Sequence, residues 1–150
     1  MTHAIHGIDH AIIGVADLDA ARDQYRRLGF AVTDRGRHVG WGTANYCVMF
    51  DHDYLELLGL IDAAAFTNGL DRFLADGEGG LGVVFATPDA EASHALLGSA
   101  GLVAPENALR ELGRVIENGP DGRPVDLSFR NVHLAEGATP GLSAFLCQHL

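Results

Sequence analysis

The chain has 150 residues, of which 47% are hydrophobic and 20% are charged, and its formal net charge is −10. A chain of this size can bury a core of its own, so we expect one globular domain. The acidic excess makes nucleic acids and anionic membrane surfaces poor partners, and no apolar run approaches the ~20 residues of a membrane-spanning helix. Residues 1–6 lack a signal-peptide pattern. Cys47 and Cys147 could form one disulfide, but two reduced thiols in the core are the favoured interpretation, so we expect a cytoplasmic protein.

The first half of the chain predicts one helix among four strands. Residues 8–15 form an apolar run whose alternate side chains share a face, so His10 and Ile12 would point to the same side. Asp17 is a good N-cap and Gly29 a good terminator for the helix between them, whose apolar stripe is Leu18, Ala21, Tyr25 and Leu28. Further strands are predicted at 30–33, 43–50 and 54–60, with a glycine-rich loop at 35–42.

The same pattern begins again after a linker helix predicted at about 62–79. A strand at 81–86 is followed by a helix that Asp89 caps and Gly101 ends, and both residues lie 72 positions after their counterparts in the first half. This constant offset indicates an internal repeat of one supersecondary unit. Three more strands are predicted, at 112–118, 124–133 and 142–149. The sequence therefore predicts two βαβββ units.

Two such units in a chain of this length resemble the vicinal oxygen chelate superfamily, which includes glyoxalase I, extradiol dioxygenases and bleomycin-resistance proteins. The resemblance is carried by Ile8-Asp9-His10, Asp17-Leu18-Asp19-Ala20-Ala21, Leu28-Gly29-Phe30 and Tyr54-Leu55-Glu56-Leu57-Leu58. Residues 36–45 and 145–149 are more narrowly similar to the group called glyoxalase-like domain. The resemblance implies an α+β domain over 1–150, with modules at about 7–61 and 80–150 forming a half-open barrel around one cleft.

The resemblance also implies a divalent metal in the cleft, because metal-dependent members take their ligands from the first and last strands of the units. His10 lies on a first strand and Glu56 on a last strand, and His149 on the final strand would be a third ligand. Such a set leaves coordination positions open for substrate or water and points to zinc, nickel, iron or manganese. The 72-residue offset places Gly82 where these members usually carry another ligand, so the four-ligand set of glyoxalase I is missing.

The expected function is that of a metal-dependent enzyme, a lyase, isomerase or dioxygenase acting on a small oxygenated metabolite. Glu56 and His149 would be its catalytic residues. His38 and Trp41, in the glycine-rich loop, and Asn45, on the strand after it, are candidate substrate-binding residues.

The alternative is a metal-free protein that binds or sequesters a small molecule, as resistance proteins of this fold do. His10 and Glu56 would then pair with each other or with a polar ligand, since a carboxylate inside a sheet needs a partner. The missing ligand at Gly82 favours this alternative. Because clefts in this fold are often built at dimer interfaces, we also expect a homodimer.

Overall fold

The computed structural model describes residues 5–106 and 108–150, which form a closed barrel of eight strands with three helices. The elements in chain order are β1 (Gly7–Gly14), α1 (Leu18–Arg27), β2 (Gly36–His38), β3 (Thr43–Met49), β4 (Tyr54–Leu60), α2 (Leu70–Ala75), β5 (Gly79–Ala86), α3 (Ala90–Ser99), β6 (Leu109–Ile116), β7 (Val125–His133) and β8 (Ala144–His149). None of the helices in this described part of the chain has the length and apolar character needed to cross a membrane.

The barrel closes because two strand pairings join the halves of the chain. β1 pairs antiparallel with β5, and β2 pairs antiparallel with β6. The order around the barrel is β1-β4-β3-β2-β6-β7-β8-β5, and the last strand returns to the first. The expectation of a half-open barrel is therefore wrong, since the backbone groups at both seams hydrogen-bond to each other.

The predicted second strand and the predicted glycine-rich loop also need correction. Within residues 30–33, Val32 forms only an isolated bridge to β3, whereas β2 is the short segment Gly36–His38 inside the predicted loop. His38 is consequently a buried strand residue. The extended conformation at 36–38 is stabilised by hydrogen bonding to strands on both sides, β3 and β6, which no local pattern reveals.

The linker helix is much shorter than the predicted span of about 62–79. It covers only Leu70–Ala75, and Gly69 before it adopts a left-handed conformation with φ of 84°. Gly77 beyond it has φ of 130°. These glycine conformations limit the helix at both ends, because helix residues have negative φ.

The first helix packs its N-terminal half on the sheet. Asp17 caps it, accepting a 2.9 Å hydrogen bond from the Ala20 amide, and Leu18 is buried against β3 and β4. Leu28, the last member of the predicted apolar stripe, is 65% exposed, because the helix ends at Arg27 and Leu28 serves as its C-cap. Leu28 is thus not the core residue that the stripe predicted.

The 72-residue spacing recurs in the bounds of the elements. β1 begins at Gly7 and β5 at Gly79, and the two ten-residue helices begin at Leu18 and Ala90. Asp89 caps α3 as Asp17 caps α1, accepting a 2.9 Å hydrogen bond from the amide three residues later.

Gly42, just before β3, is the position where the backbone can least accept a side chain. A Cβ there would overlap the carbonyl oxygen of Asp62. We expect Gly42→Ala to lower the free energy of unfolding by about 1–3 kcal/mol, because backbone cannot rotate away as a side chain can. Gly80→Ala in β5 is the matched control, since its Cβ meets nothing within 4 Å, and equal losses of stability in urea unfolding would contradict the prediction.

Candidate functional site

His10 lies on the inner face of β1 between two carboxylates. Its Nδ1 lies 2.5 Å from Oδ1 of Asp9, and its Nε2 lies 3.5 Å from Oε2 of Glu56. The ring stacks on Tyr54 with 4.4 Å between centroids. Burial alone would lower the pKa of His10, but the two carboxylates outweigh it and raise the pKa above the ordinary value. The imidazole is thus fixed in orientation, with Nε2 facing Glu56.

Glu56, on β4, is the buried carboxylate that connects the cluster. Asn45 donates a 2.5 Å hydrogen bond from Nδ2 to Oε1, and Nε2 of His38 lies 3.6 Å from the same oxygen. Burial alone would raise the pKa of Glu56, but His10, His38 and Asn45 outweigh it and lower the pKa to about 2. Glu56 is therefore anionic at neutral pH.

His38 is held from its other side by a hydroxyl group. Its Nδ1 lies 2.8 Å from Oγ1 of Thr43, and both side chains are buried. Burial is the main cause that lowers the pKa of His38, and Arg114 and His10 add to it against the opposing effect of Glu56. His38 is therefore neutral at neutral pH, unlike His10, whose pKa is shifted upward.

The structure does not bring His149 to Glu56. His149 is exposed at the end of β8, and its Nε2 lies 2.9 Å from Oδ2 of Asp9, whose other oxygen meets His10. Asp9, Cys147 and His149 place one ligand atom each within 4.8 Å of one another. His149 therefore reaches the cluster only through Asp9.

A cavity of about 260 Å³ opens beside His10, His38 and Glu56. Trp41 lines it and meets the ring of Phe66 edge-on at 4.9 Å, whereas Asn45 holds Glu56 from behind. The apolar lining consists of Ile12, Leu58, Leu70, Leu81, Leu112, Leu134, Phe129 and Phe145. The remaining polar lining includes Arg114, Asn131 and His133. One part of the cavity is thus charged and another is largely apolar.

Gly82 has no room for a ligand side chain. It lies on β5 opposite Ile12, and a Cβ built on it would come within 2.5 Å of the carbonyl oxygen of Ser143. The backbone of the neighbouring segment thus occupies the space that a ligand at this position would need.

The donor atoms of His10 and Glu56 fit a divalent metal. Two ligands of a tetrahedral ion with ~2.1 Å bonds lie ~3.4 Å apart, close to the 3.5 Å between Nε2 and Oε2. Metal-bound histidines usually donate their second ring N–H to a carboxylate, the role that Asp9 can take for His10. His38 faces the other oxygen of Glu56, so it lies beside this pair.

The sequence can be compared with known families once this geometry is clear. The model of the glyoxalase-like domain family matches residues 8–150, nearly the whole chain. The chain belongs to this family. No match was found among the curated proteins.

Solved structures similar to this glyoxalase-like domain include several methylmalonyl-CoA epimerases. A variant of the Streptomyces coelicolor enzyme in complex with 2-nitronate-propionyl-CoA has 24% identity and a TM-score of 0.73, covering 95% of this chain and 96% of that one. The Mycobacterium tuberculosis enzyme has 21% identity and a TM-score of 0.72, covering 98% and 90%. An epimerase in complex with methylmalonyl-CoA and NH4+ has 24% identity and a TM-score of 0.73, covering 95% and 94%. These likenesses show the fold, and the predicted resemblance to the vicinal oxygen chelate superfamily is confirmed.

Two groups of residues near the site of this glyoxalase-like domain are not among the predicted site residues, although Arg114 is one of three arginines that the sequence offers for an anionic substrate. Strict alternation along β1 places Asp9 on the face opposite to His10, so the strand pattern does not indicate their contact. Arg114 on β6, together with Asn131 on β7, also lines the cavity. Alternation places Arg114 on the same strand face as Leu112, and Asn131 on the same strand face as Phe129. The sequence pattern therefore does indicate that the second group points toward the interior.

Proposed function

We propose that this glyoxalase-like domain is an isomerase-type enzyme that holds a divalent metal with His10 and Glu56 and moves a proton next to a carbonyl group. The supporting observation is that Nε2 of His10 and Oε2 of Glu56 face each other at 3.5 Å beside a cavity, with Asp9 on the other ring nitrogen. The likeness to methylmalonyl-CoA epimerases supports the reaction class, and the cavity volume of about 260 Å³ suits a small oxygenated substrate.

The proposed chemistry divides between the metal and the side chains. When bound, the metal supplies a Lewis acid that stabilises an enolate or oxyanion. His38 is neutral, and in the tautomer whose Nδ1–H donates to Thr43 its Nε2 takes the proton from the substrate carbon and then returns it to that carbon. Asn45 keeps Glu56 in place through the 2.5 Å hydrogen bond.

The other predicted residues have supporting roles in this proposal. Trp41 contacts the substrate, because it lines the cavity next to His38 with 5.9 Å between ring centroids. His149 positions Asp9, which in turn orients His10. We also propose that the protein is a homodimer, that it is located in the cytoplasm, and that the chain is organised as two units at about 7–61 and 80–150.

The proposal is tested by metal content and by solvent exchange. Protein purified without chelator is expected to carry a divalent metal that His10→Ala loses. In D₂O it should exchange protons next to the carbonyl of 2-oxobutanoate or of a propionyl thioester, and His38→Phe should slow this exchange by about a hundredfold. His52→Phe is the matched control, because His52 is exposed in the turn between β3 and β4.

The competing function is sequestration of a small molecule without metal. The absence of space for a ligand at Gly82 and the apolar lining favour it. It predicts no bound metal, no exchange, and ligand binding that is the same with and without chelator. That combination of results would replace the enzyme proposal.

A further inference from the structure

Three side chains with metal-binding atoms meet near the exposed end of β8. Asp9, Cys147 and His149 each place one such atom within 4.8 Å of the other two, and within residues 5–106 and 108–150 no other three His, Cys, Asp or Glu side chains do so. Oδ2 of Asp9 and Nε2 of His149 are already 2.9 Å apart. A carboxylate, a thiol and an imidazole together form a donor set that suits zinc and its softer relatives and does not suit magnesium or calcium.

The fold brings these three side chains together across the end of β5. Cys147 and His149 are two positions apart on β8 and so share a face, and the ring of His149 meets that of Phe129 edge-on at 5.0 Å. Ala86 of β5 lies opposite Cys147, and its small side chain leaves room beside the thiol. The irregular register of β1 around Asp9 lets its carboxylate reach His149.

This cluster is separate from the pair that holds the metal in the proposed function. It uses Oδ2 of Asp9, whereas Oδ1 of Asp9 meets Nδ1 of His10. His10 turns its other ring nitrogen, Nε2, toward Glu56. The imidazole ring of His10 therefore lies between the two groups of donor atoms, and a metal ion at one does not occupy the other.

We infer that Asp9, Cys147 and His149 bind a second divalent metal ion of the thiophilic type, such as zinc, through Oδ2, Sγ and Nε2. The thiol loses its proton to solvent when the ion binds, and His149 binds with its ring proton on Nδ1. Ligand atoms around a tetrahedral zinc ion lie ~3.4–3.6 Å apart. Small rotations bring the three atoms to these separations, most easily at His149, whose side chain is 56% exposed. The ion would connect β1 to β8 and hold Asp9 in place behind His10.

Titration with cadmium tests the inference on the protein as purified. The site has three protein ligands, one fewer than a structural zinc site, and binding displaces a thiol proton, so we expect it to fill on titration and to lose metal during purification. Cadmium is the probe because its bond to a thiolate gives a charge-transfer absorption in the ultraviolet. We expect this absorption to appear in a saturable way, and to be abolished by excess zinc but not by magnesium.

Matched variants identify the ligands. Cys147→Ser should remove the cadmium–thiolate absorption, whereas Cys47→Ser makes the same substitution at an equally buried cysteine and should keep it. His149→Ala and Asp9→Asn should each weaken cadmium binding at least about tenfold, since loss of even an outer-shell partner of a metal has this effect. His52→Ala, at an exposed turn residue, should leave cadmium binding unchanged. Circular dichroism checks that each variant is folded.

Glu56→Gln separates this site from that of the proposed function, because it should keep the cadmium–thiolate absorption. The inference is overturned if Glu56→Gln loses the absorption, if Cys147→Ser keeps it, if both serine variants lose it equally, if His149→Ala binds cadmium as the wild type does, or if the wild type shows no absorption. Cadmium–thiolate absorption without solvent exchange would leave this site standing and overturn the enzyme proposal. Solvent exchange without the absorption would do the reverse.

Discussion

Removal of divalent metal is expected to lower the melting temperature of the wild-type protein by roughly 5–15 °C and to leave that of Glu56→Gln nearly unchanged. A metal that binds only the native state stabilises it by about 2.7 kcal/mol at a hundredfold excess over its dissociation constant, and by about 4.1 kcal/mol at a thousandfold excess. In a domain of this size each kcal/mol corresponds to about 2–4 °C. Thermal scans with chelator and with added zinc, nickel, iron(II) or manganese measure the shift.

The comparison has to be made within each variant, because Glu56→Gln also loses a buried negative charge and will start from a different melting temperature. Glutamine keeps the shape and one acceptor oxygen but lacks the anionic ligand. Glu136→Gln, at an exposed residue outside the cluster, is the matched control and should respond to chelator as the wild type does. Coincident scans with and without metal in the wild type would favour the sequestration alternative.

Local patterns were sufficient for the features that depend on neighbouring residues. Alternation in β1 placed His10 and Ile12 on one buried face, as the structure has them. The aspartate caps and terminal glycines located both long helices. The position of Glu56 on the same face of β4 as Tyr54 and Leu58 follows from the same two-residue period, and Glu56 is buried in the structure. These residues were predictable because side-chain direction follows from strand period alone.

Features that depend on distant pairings were not predictable in this way. The pairing of β1 with β5 shifts register between Ile8 and His10, and Asp9 at this irregularity meets His10 and His149. A bulge can re-aim a side chain against strict alternation, so the strand period alone does not predict the contact between Asp9 and His10. His38 became a buried strand residue only through β2 pairing with both β3 and β6. Barrel closure depends on the same long-range pairings.

His10→Leu is expected to lower the free energy of unfolding by about 3–5 kcal/mol at pH 7 in the presence of chelator, the cost typical of breaking a buried ion pair from one side. The variant leaves Asp9 and Glu56 as carboxylates with side-chain exposures of 11% and 8%, without the imidazole between them. His52→Leu removes an exposed histidine and should cost less than about 0.5 kcal/mol. Urea unfolding gives both values.

The pH dependence of this loss separates electrostatics from packing. In the wild type the lowered pKa values of Asp9 and Glu56 contribute stability that is present above the ordinary carboxylate pKa of about 4 and is lost as the pH falls toward 2. The raised pKa of His10 contributes stability that is present below about 6.5 and is lost as the pH rises through the folded-state value. In His10→Leu we expect burial to raise the pKa values of Asp9 and Glu56 instead. The free energy of unfolding of the variant should then rise as the pH falls and these two carboxylates become protonated. The difference between the two proteins should therefore be largest near pH 5–7 and shrink on both sides of that window.

A double variant provides the final discrimination. Adding Glu56→Gln to His10→Leu removes one of the two buried carboxylates that lack a partner in the single variant. The double variant should therefore lose less stability than the sum of the two single losses, and we expect this difference, the coupling energy, to be about 1–3 kcal/mol. Purely additive losses that stay constant between pH 4 and pH 8 would mean that His10 acts by filling space against Tyr54 and Phe145. Strong coupling in this window would mean that His10 acts through its interactions with the carboxylates of Asp9 and Glu56. The same interactions keep Nε2 of the wild-type imidazole facing Glu56, as a metal held between His10 and Glu56 requires.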